Sequence, residues 1–394
     1  MHLLLILLSW IIAAAWTQRA LAAARNLPRI PNLLDPRYDP EPSRKSDLPQ
    51  LTVIVPARNE AAAIEATLRS LLAQTIPLGI LAVDDRSTDH TGAIMDRIAA
   101  EPCPPGKFFS VIHIHTLPPG WMGKNHAMAF AARQTATPWL LFTDGDILFR
   151  EDALERALRY AHESAADHVV VLPTLILKTS GERMMSAIFQ SLTLLAWRPW
   201  KIADPGNRES IGMGAFNLLR SEVYRATGGF EAQPMEVLED LRLGFEIKRR
   251  GYKQHMLLGP SLIRLHWASG AFGMVNNLTK NIFATFRFRL SLLLAAWLGF
   301  LVVCFTPLAG LFAPWSIRSA SLVSLAMIAL LYALAGRYYN RISPIYVLTF
   351  PIGAVLVLYA MLRSTLFTLL RRGIVWRGTF YPLRELRRHT GPLR

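Results

Sequence analysis

Only two cysteines occur in the 394 residues, Cys103 and Cys304. They lie in different regions, so neither a disulfide framework nor a cysteine-based metal site follows. Acidic residues are scarce as well: 28 Asp and Glu stand against 43 Lys and Arg, a formal charge of +15. Much of that excess sits beside apolar runs, as in Phe286-Arg-Phe-Arg289 and the C-terminal segment. Attraction to a membrane surface explains this better than a groove for phosphodiesters, so no nucleic acid partner is expected. Internal repeats and low-complexity tracts are absent. No Lys or Arg precedes the first apolar run, HLLLILLSWIIAAAW; only His2 stands there. A cleaved signal peptide, with LAAAR as its cleavage site, wants basic residues ahead of its apolar core. Here they follow it, at Arg19, Arg25 and Arg29, which favours a retained anchor whose C-terminal side faces the cytoplasm.

What is present is unevenly placed. Hydrophobic residues make up 52% of the chain and collect at its two ends, while the middle has the charge and turn content of a soluble domain. The expected order is an N-terminal anchor (1–24), a proline-rich connector (25–49), a catalytic-sized domain (50–275), an amphipathic interfacial segment (276–289), a C-terminal membrane region of about three helices (290–370) and a basic tail (371–394). The three C-terminal runs, Leu290–Pro314, Ser319–Ala335 and Ile345–Leu370, are each near the roughly 20 residues a spanning helix needs. Pro307 and Pro351 interrupt the first and third, where kinks or re-entrant turns are tolerated. The expected location is a cell inner membrane, crossed several times, with the central domain cytoplasmic. Three complete C-terminal crossings would then put the basic tail outside, against the positive-inside tendency. Either one run does not cross, or the tail breaks the rule. The tail itself reads as solvated or as lying on anionic lipid.

Within the middle, β-rich runs alternate with helical spacing. LTVIV (51–55), LGILAVDD (78–85), FFSVIHIH (108–115), WLLFT (139–143) and HVVVLPTL read as strands. Between them Ile64, Leu68, Leu71 and Leu72, then Ile94 and Ile98, then 124–134 and 151–163 read as helices. This alternation predicts an α/β domain, a mostly parallel sheet with helices on both faces. Ligands of such sheets bind beyond the carboxyl ends of the strands. The polar clusters fall there: Ala57-Arg-Asn-Glu60, Asp84-Asp85 and Asp144-Gly-Asp146.

Asp144 and Asp146 stand two positions apart, so in an extended segment both carboxylates share one side. Held together, they raise each other's pKa unless a cation neutralises them. A hard divalent ion bridged to phosphate oxygens fits, because Mg²⁺ often takes only one or two protein carboxylates. The competing account is an Asp-Gly turn in which Asp146 caps the next helix. His266, in LIRLHWASG, reads as a packed histidine before a metal ligand. GMGAFNL carries no charge and could admit an apolar acceptor.

In order, VIVPARNE (53–60), VDDRSTDHT (83–91), GWMGKNHAMAFA (120–131), TDGD (143–146), GAFNLLRSEVYRATGGF (214–230) and LEDLRLGFEIKRRGY (238–252) resemble the inverting glycosyltransferase family 2. The resemblance implies a GT-A nucleotide-diphospho-sugar transferase fold, with transmembrane helices attached. It implies that Pro56, Arg58, Glu60, Asp84, Asp85, Lys124 and Asp144 bind the nucleotide sugar. Asp144 and Asp146 would hold Mg²⁺ or Mn²⁺, and Asp240, within Glu239-Asp240, would be the catalytic base. Capping roles compete for Glu60, Asp84, Lys124 and Glu239-Asp240. Gly228-Gly229-Phe230 resembles the acceptor-side loop, or serves only a turn.

The Gln-x-x-Arg-Trp motif of processive members is missing, and Asn277-Leu-Thr-Lys-Asn281 occupies the corresponding region. That argues against long polymers. The anchor, the C-terminal cluster and Trp376-Arg-Gly378 look closer to the branch acting on membrane lipids: ceramide glucosyltransferase-like, hopanoid-associated and carotenoid enzymes. The expected partners are therefore a nucleotide-sugar donor, a lipid acceptor and the bilayer. A transferase for a polyprenyl phosphate or a short polysaccharide is the alternative within the class. A nucleotidyltransferase, or a non-catalytic scaffold, is the alternative outside it.

Overall fold

The computed structural model describes residues 2–41, 48 and 50–391; the rest of the expected connector, residues 42–47 and 49, lies outside them. The chain forms two compact units. One comprises residues 31–176, 201–266 and 373–394, the other 1–30, 177–200 and 267–372. The expected catalytic span of 50–275 therefore contributes to both. The separation follows from burial partners, which lie far apart in sequence.

The first unit is built on a seven-stranded sheet. Its strands in chain order are β1 (Leu51–Ala57), β2 (Leu78–Asp85), β3 (Lys107–Ile114) and β4 (Trp139–Phe142), then, after β5 (Ile147–Phe149), β6 (His168–Val171). After the short β7 (Thr174–Leu175) come β8 (Asn217–Arg220) and β9 (Gln254–Leu257), followed by β10 (Ile263–Leu265). The spatial order is β3-β2-β1-β4-β8-β6-β9, and β8 alone runs antiparallel to its neighbours. The strands β1 and β4 are buried throughout, as expected for a sheet covered on both faces. The helices fulfil their spacing: Ile64, Leu68 and Leu71 of helix Ile64–Leu72 are buried, as are Met95 and Ile98 of helix Thr91–Ala99. Because β2, β1 and β4 are adjacent, their carboxyl ends lie side by side. A smaller sheet, β5-β10-β7, stands apart from the large one.

Asp144-Gly-Asp146 forms a turn between β4 and β5, so Asp146 leads into a strand and caps no helix. The described part of the connector is not free. Leu33 is fully buried and exchanges backbone hydrogen bonds around Leu258, and Arg156 pairs with Asp39 at 2.6 Å. The tail folds too. Its strands β11 (Gly373–Trp376) and β12 (Thr379–Pro382) form a hairpin, followed by helix Leu383–His389.

The second unit is helical: His2–Asn26, Ser180–Ala196, Gly270–Thr285, Leu290–Ala309, Trp315–Ala335 and Phe350–Leu370. Among the described residues, four segments are long and apolar enough to cross a membrane: His2–Arg29, Leu290–Phe312, Trp315–Asn340 and Pro344–Leu370. Polar side chains hold them to their neighbours. Ser364 Oγ donates to the Thr279 carbonyl at 2.5 Å and accepts from Phe283 N–H at 3.0 Å, while Trp16 Nε1 donates to the Val303 carbonyl. Such interhelical bonds persist where water cannot compete.

Glu182 begins the helix Ser180–Ala196 in a capping box with Thr179, and its carboxylate also accepts from Lys178 N–H and Gly270 N–H. Burial alone would raise its pKa; the backbone donors win and hold it down to about 2. Replacing Glu182 with Gln should lower stability at neutral pH by about 1–3 kcal/mol. Because the folded value lies below the ordinary 4.5, the parent should lose this contribution as pH falls from 4.5 through about 2. Thermal unfolding of both proteins in detergent across that range checks the convergence.

Candidate active site

The site grows from three loops. After β1, Asn59 has a left-handed backbone, φ 55°, and Arg86 after β2 does likewise, φ 56°. The two loops interlock: Asn59 N–H donates to Ser87 Oγ and Thr88 N–H to Asn59 Oδ1. Glu60 N–H donates to Thr91 Oγ1 at 2.8 Å, and Ala61 N–H to Asp89. Non-glycine residues adopt that conformation only when their surroundings over-determine it. These bonds do so.

Asp84 and Asp85 point to opposite faces of β2, as strand alternation requires. Asp84 meets His113 Nδ1 at 3.1 Å and accepts from Ser87 N–H. His113 in turn meets Asp96, so Asp84 belongs to a cluster on the side of helix Thr91–Ala99. Asp85 is buried, and both its oxygens take the Arg86 guanidinium, at 2.7 and 3.0 Å. It also packs on Gly123, where any Cβ would collide with it at 2.1 Å. Gly123 opens the helix Gly123–Ala132 and places Lys124 in the first turn.

Lys124 is the centre of the arrangement. Its Nζ lies 2.6 Å from Asp144 Oδ1 and 2.7 Å from Glu239 Oε1. Burial works against the ammonium, but the charges of Asp144, Glu239 and Asp240 hold its pKa well above the ordinary lysine range. It is a permanent cation, not a base. Glu239 and Asp240 start the helix Glu239–Arg249. Gly214 links the backbone of Asp144 to the carboxylate of Asp240: Asp144 N–H donates to the Gly214 carbonyl at 3.0 Å, and Gly214 N–H donates to Asp240 Oδ2 at 2.8 Å. Asp240 Oδ1 also accepts from Leu241 N–H. Burial and the neighbouring Glu239 raise the Asp240 pKa, and Lys124 pulls it back.

At Asp146 the opposing contributions, a backbone hydrogen bond and the Arg377 charge, do not prevail. Burial, then the charges of Asp144 and Glu60, push it up to about 7. Glu60 is itself raised by burial, with Asp144 adding to the effect and Arg377 opposing it. Its carboxylate bonds Arg377 of the tail and does not cap the following helix. These hard oxygen donors, with their excess negative charge, fit a divalent ion. Among the described residues no group of three or more His, Cys, Asp or Glu is arranged to hold a metal alone, so His266 completes no such cluster.

Comparison with known proteins finds likeness over part of the chain. Residues 52–227 match the family model described as Glycosyl transferase family 2. That stretch is similar to the family. Curated relatives include the 4,4'-diaponeurosporenoate glycosyltransferases of Staphylococcus aureus strains MRSA252 and USA300, each 30% identical over 197 residues. The match covers 49% of this chain and 50% of each relative, so the chain spans about half the length of the curated relatives it matches. A solved mannosyltransferase, PcManGT of Pyrobaculum calidifontis, in complex with GDP-Man and Mn²⁺, aligns with TM-score 0.51 and 21% identity. That alignment covers 92% of this chain and 99% of the other. The fold is of the GT-A type.

Lys124, Asp144, Glu239 and Asp240 come together around Gly214, with Asp146 and Glu60 bearing on Asp144; Glu239 and Asp240 lie beyond the matched residues 52–227. Pro56, one residue before the end of β1, pairs with Val83 of β2, and Arg58 lies on the first loop. Sequence reading overlooked Arg86, Gly214, Tyr381 and Arg377. Arg377 stands within Trp376-Arg-Gly378, but nothing in the sequence gives it or Tyr381 a place at this site.

The two glycines of GMGAFNL have a packing reason. A Cβ on Gly212 would meet the Asp240 carbonyl oxygen at 1.7 Å, and one on Gly214 would meet Asp144 Oδ2 at 2.6 Å and Lys124 Nζ at 3.0 Å. Gly228-Gly229 turns the chain after helix Ser221–Thr227 and delivers Phe230 into the core against Phe142. The two close glycines should respond differently to alanine. Gly212→Ala meets backbone and should cost about 1–3 kcal/mol or more. Gly214→Ala meets only side-chain ends and should cost under about 1 kcal/mol while displacing Asp144. Denaturant unfolding of both variants checks the contrast; equal losses would contradict it.

Proposed function

We propose that the chain is an inverting hexosyltransferase moving one sugar from a nucleotide sugar, with UDP as the carrier, to a hydroxyl or carboxyl of a membrane lipid. The observation that carries this reading is the Asp144–Gly214–Asp240 connection. It holds a proton acceptor one peptide group from the acidic turn and its lysine. In the proposed step Asp240 takes the acceptor proton as the acceptor oxygen bonds to the anomeric carbon. The bond from that carbon to the diphosphate oxygen breaks, and the electron pair leaves with the nucleoside diphosphate. A single displacement inverts the carbon. Lys124, fixed by Asp144 and Glu239, faces the charge that develops on the leaving group. Mg²⁺ or Mn²⁺, held by Asp144 and Asp146, supplies further neutralisation of the diphosphate when bound. Glu239 positions Lys124, and Pro56, Arg58, Glu60 and Asp85 line the nucleotide side.

A lipid acceptor is supported by the S. aureus relatives, whose name specifies a carotenoid-type acid, and by the apolar helices. The expected outcomes are distinct. Asp240→Asn should lower turnover about 10²- to 10⁴-fold with nucleotide binding retained. A phosphate acceptor, already ionised, would need no base, and the same variant would then cost little. Asp146→Ala should remove turnover and metal-dependent nucleotide binding without loss of stability. A carboxyl raised to about 7 in the fold opposes folding once ionised, so its removal is harmless at neutral pH. Steady-state kinetics, product identification by lipid extraction and mass spectrometry, and thermal unfolding read these out. Release of pyrophosphate in place of nucleoside diphosphate would mark a nucleotidyltransferase.

We also propose that one C-terminal apolar segment does not complete a crossing. The chain leaves the sheet unit at His266 and re-enters it at Gly373. Three candidate spans lie between, yet the number of crossings must be even for that unit to stay on one side. Cys103 is exposed in the same unit and provides a native reporter. Cys103 and a tail probe, Arg384→Cys, should both react with a membrane-impermeant maleimide in inverted vesicles, and neither in right-side-out ones. Labelling from opposite sides would overturn the topology.

A further inference from the structure

The C-terminal hairpin is fastened to the rim of the site at several points. Tyr381 of β12 accepts from Gly123 N–H at 3.1 Å, at the start of the helix that carries Lys124. Farther on, Gly391 N–H donates to the buried Glu236, three residues before Glu239. Between β11 and β12 only two residues intervene, since Trp376 pairs with Thr379. Arg377 and Gly378 both have positive φ, 48° and 77°, the backbone of a type I′ turn. Gly378 adopts this readily. Arg377 does so at a cost, and its side chain shows why the position matters. One guanidinium nitrogen donates to the Arg58 carbonyl at 3.3 Å and another to the Glu60 carboxylate.

Arg377 therefore stands beside Arg58 on the loop after β1. A Cβ on Gly378 would lie 3.9 Å from Arg58 Nη2. Arg58 Nε and Nη1 are buried without a hydrogen-bond partner in the structure. Two guanidinium groups thus stand at the hairpin turn, one bonded to Glu60 and the other next to Gly378. Buried donors of this kind call for an acceptor, and planar guanidinium forks match phosphate oxygens. Arg377 has five N–H donors, and the two contacts above leave others available.

We infer that the C-terminal hairpin is a working wall of the donor site, and that Arg377 joins Arg58 in binding the diphosphate of the nucleotide sugar. This rests on the donor reading proposed above, and it assigns the tail a role beyond membrane-surface attraction. The hairpin covers the first loop, and the pair Arg377–Glu60 holds the guanidinium at the rim before the donor arrives.

The test uses the full chain in detergent with Mn²⁺ and measures binding of UDP and UMP, with GDP and GMP in parallel, by calorimetry. Arg377→Ala should weaken the preferred diphosphate about 10- to 100-fold while changing the matching monophosphate less than about 3-fold. Arg377→Lys should recover part of the loss, and thermal unfolding should show all three proteins folded. Equal weakening of diphosphate and monophosphate would mean that the hairpin only supports the loop, and would overturn the inference. Unchanged diphosphate affinity in Arg377→Ala would overturn it too, with the donor reading intact. A parent protein that binds none of the four nucleotides would overturn the donor reading and this inference together.

Discussion

The Lys124 ammonium, shared between Asp144 and Glu239, is the constraint on which the site depends. It ties together the helix Gly123–Ala132, the turn after β4 and the helix Glu239–Arg249, elements that come from three distant parts of the chain. A charge placed among packed elements must be paired, and removing one partner leaves the others uncompensated. The three acids raise the lysine and the lysine moderates Asp240. The same contact thus keeps a cation at the acidic turn, with the Asp240 carboxyl beside it.

Close approach makes this network possible. Gly214 brings its peptide group between Asp144 and Asp240, and Gly212 lets the loop touch the backbone of the helix that carries the acids. On the other flank, Asn59 and Arg86 hold left-handed conformations that interlocked side chains stabilise. The tail hairpin fastens across this flank through Arg377 and Tyr381. The site is therefore set by backbone fit on one side and by a strap from the end of the chain on the other.

The two units are interleaved along the sequence, because the helix Ser180–Ala196 leaves the sheet unit and the residues after Gly373 return to it. Neither event has a signal in local composition. The helix Ser180–Ala196 has ordinary amphipathic content, and a basic tail resembles a solvated one until its hairpin finds a partner. Glu182, buried and satisfied by backbone donors, shows the same dependence on a distant segment, since one of those donors is Gly270.

Local pattern alone was enough for the strands β1 to β4, the helices between them and the grouping of polar residues at strand ends. Period and chain order dictate these wherever a sheet is covered on both faces. It was enough, too, for the apolar segments at the two ends; Lys124, Glu239 and Asp240 were named by the family resemblance, not by local pattern. Tertiary structure decided the rest. It divided Asp84 from Asp85 across the sheet, engaged Asp85 with Arg86, made a turn into a strand of Asp144-Gly-Asp146, and brought Arg377 to Glu60 across more than three hundred residues. The reason is physical: periodicity reports which face of an element is buried, whereas the partner of a charge depends on which distant backbone comes close enough to meet it.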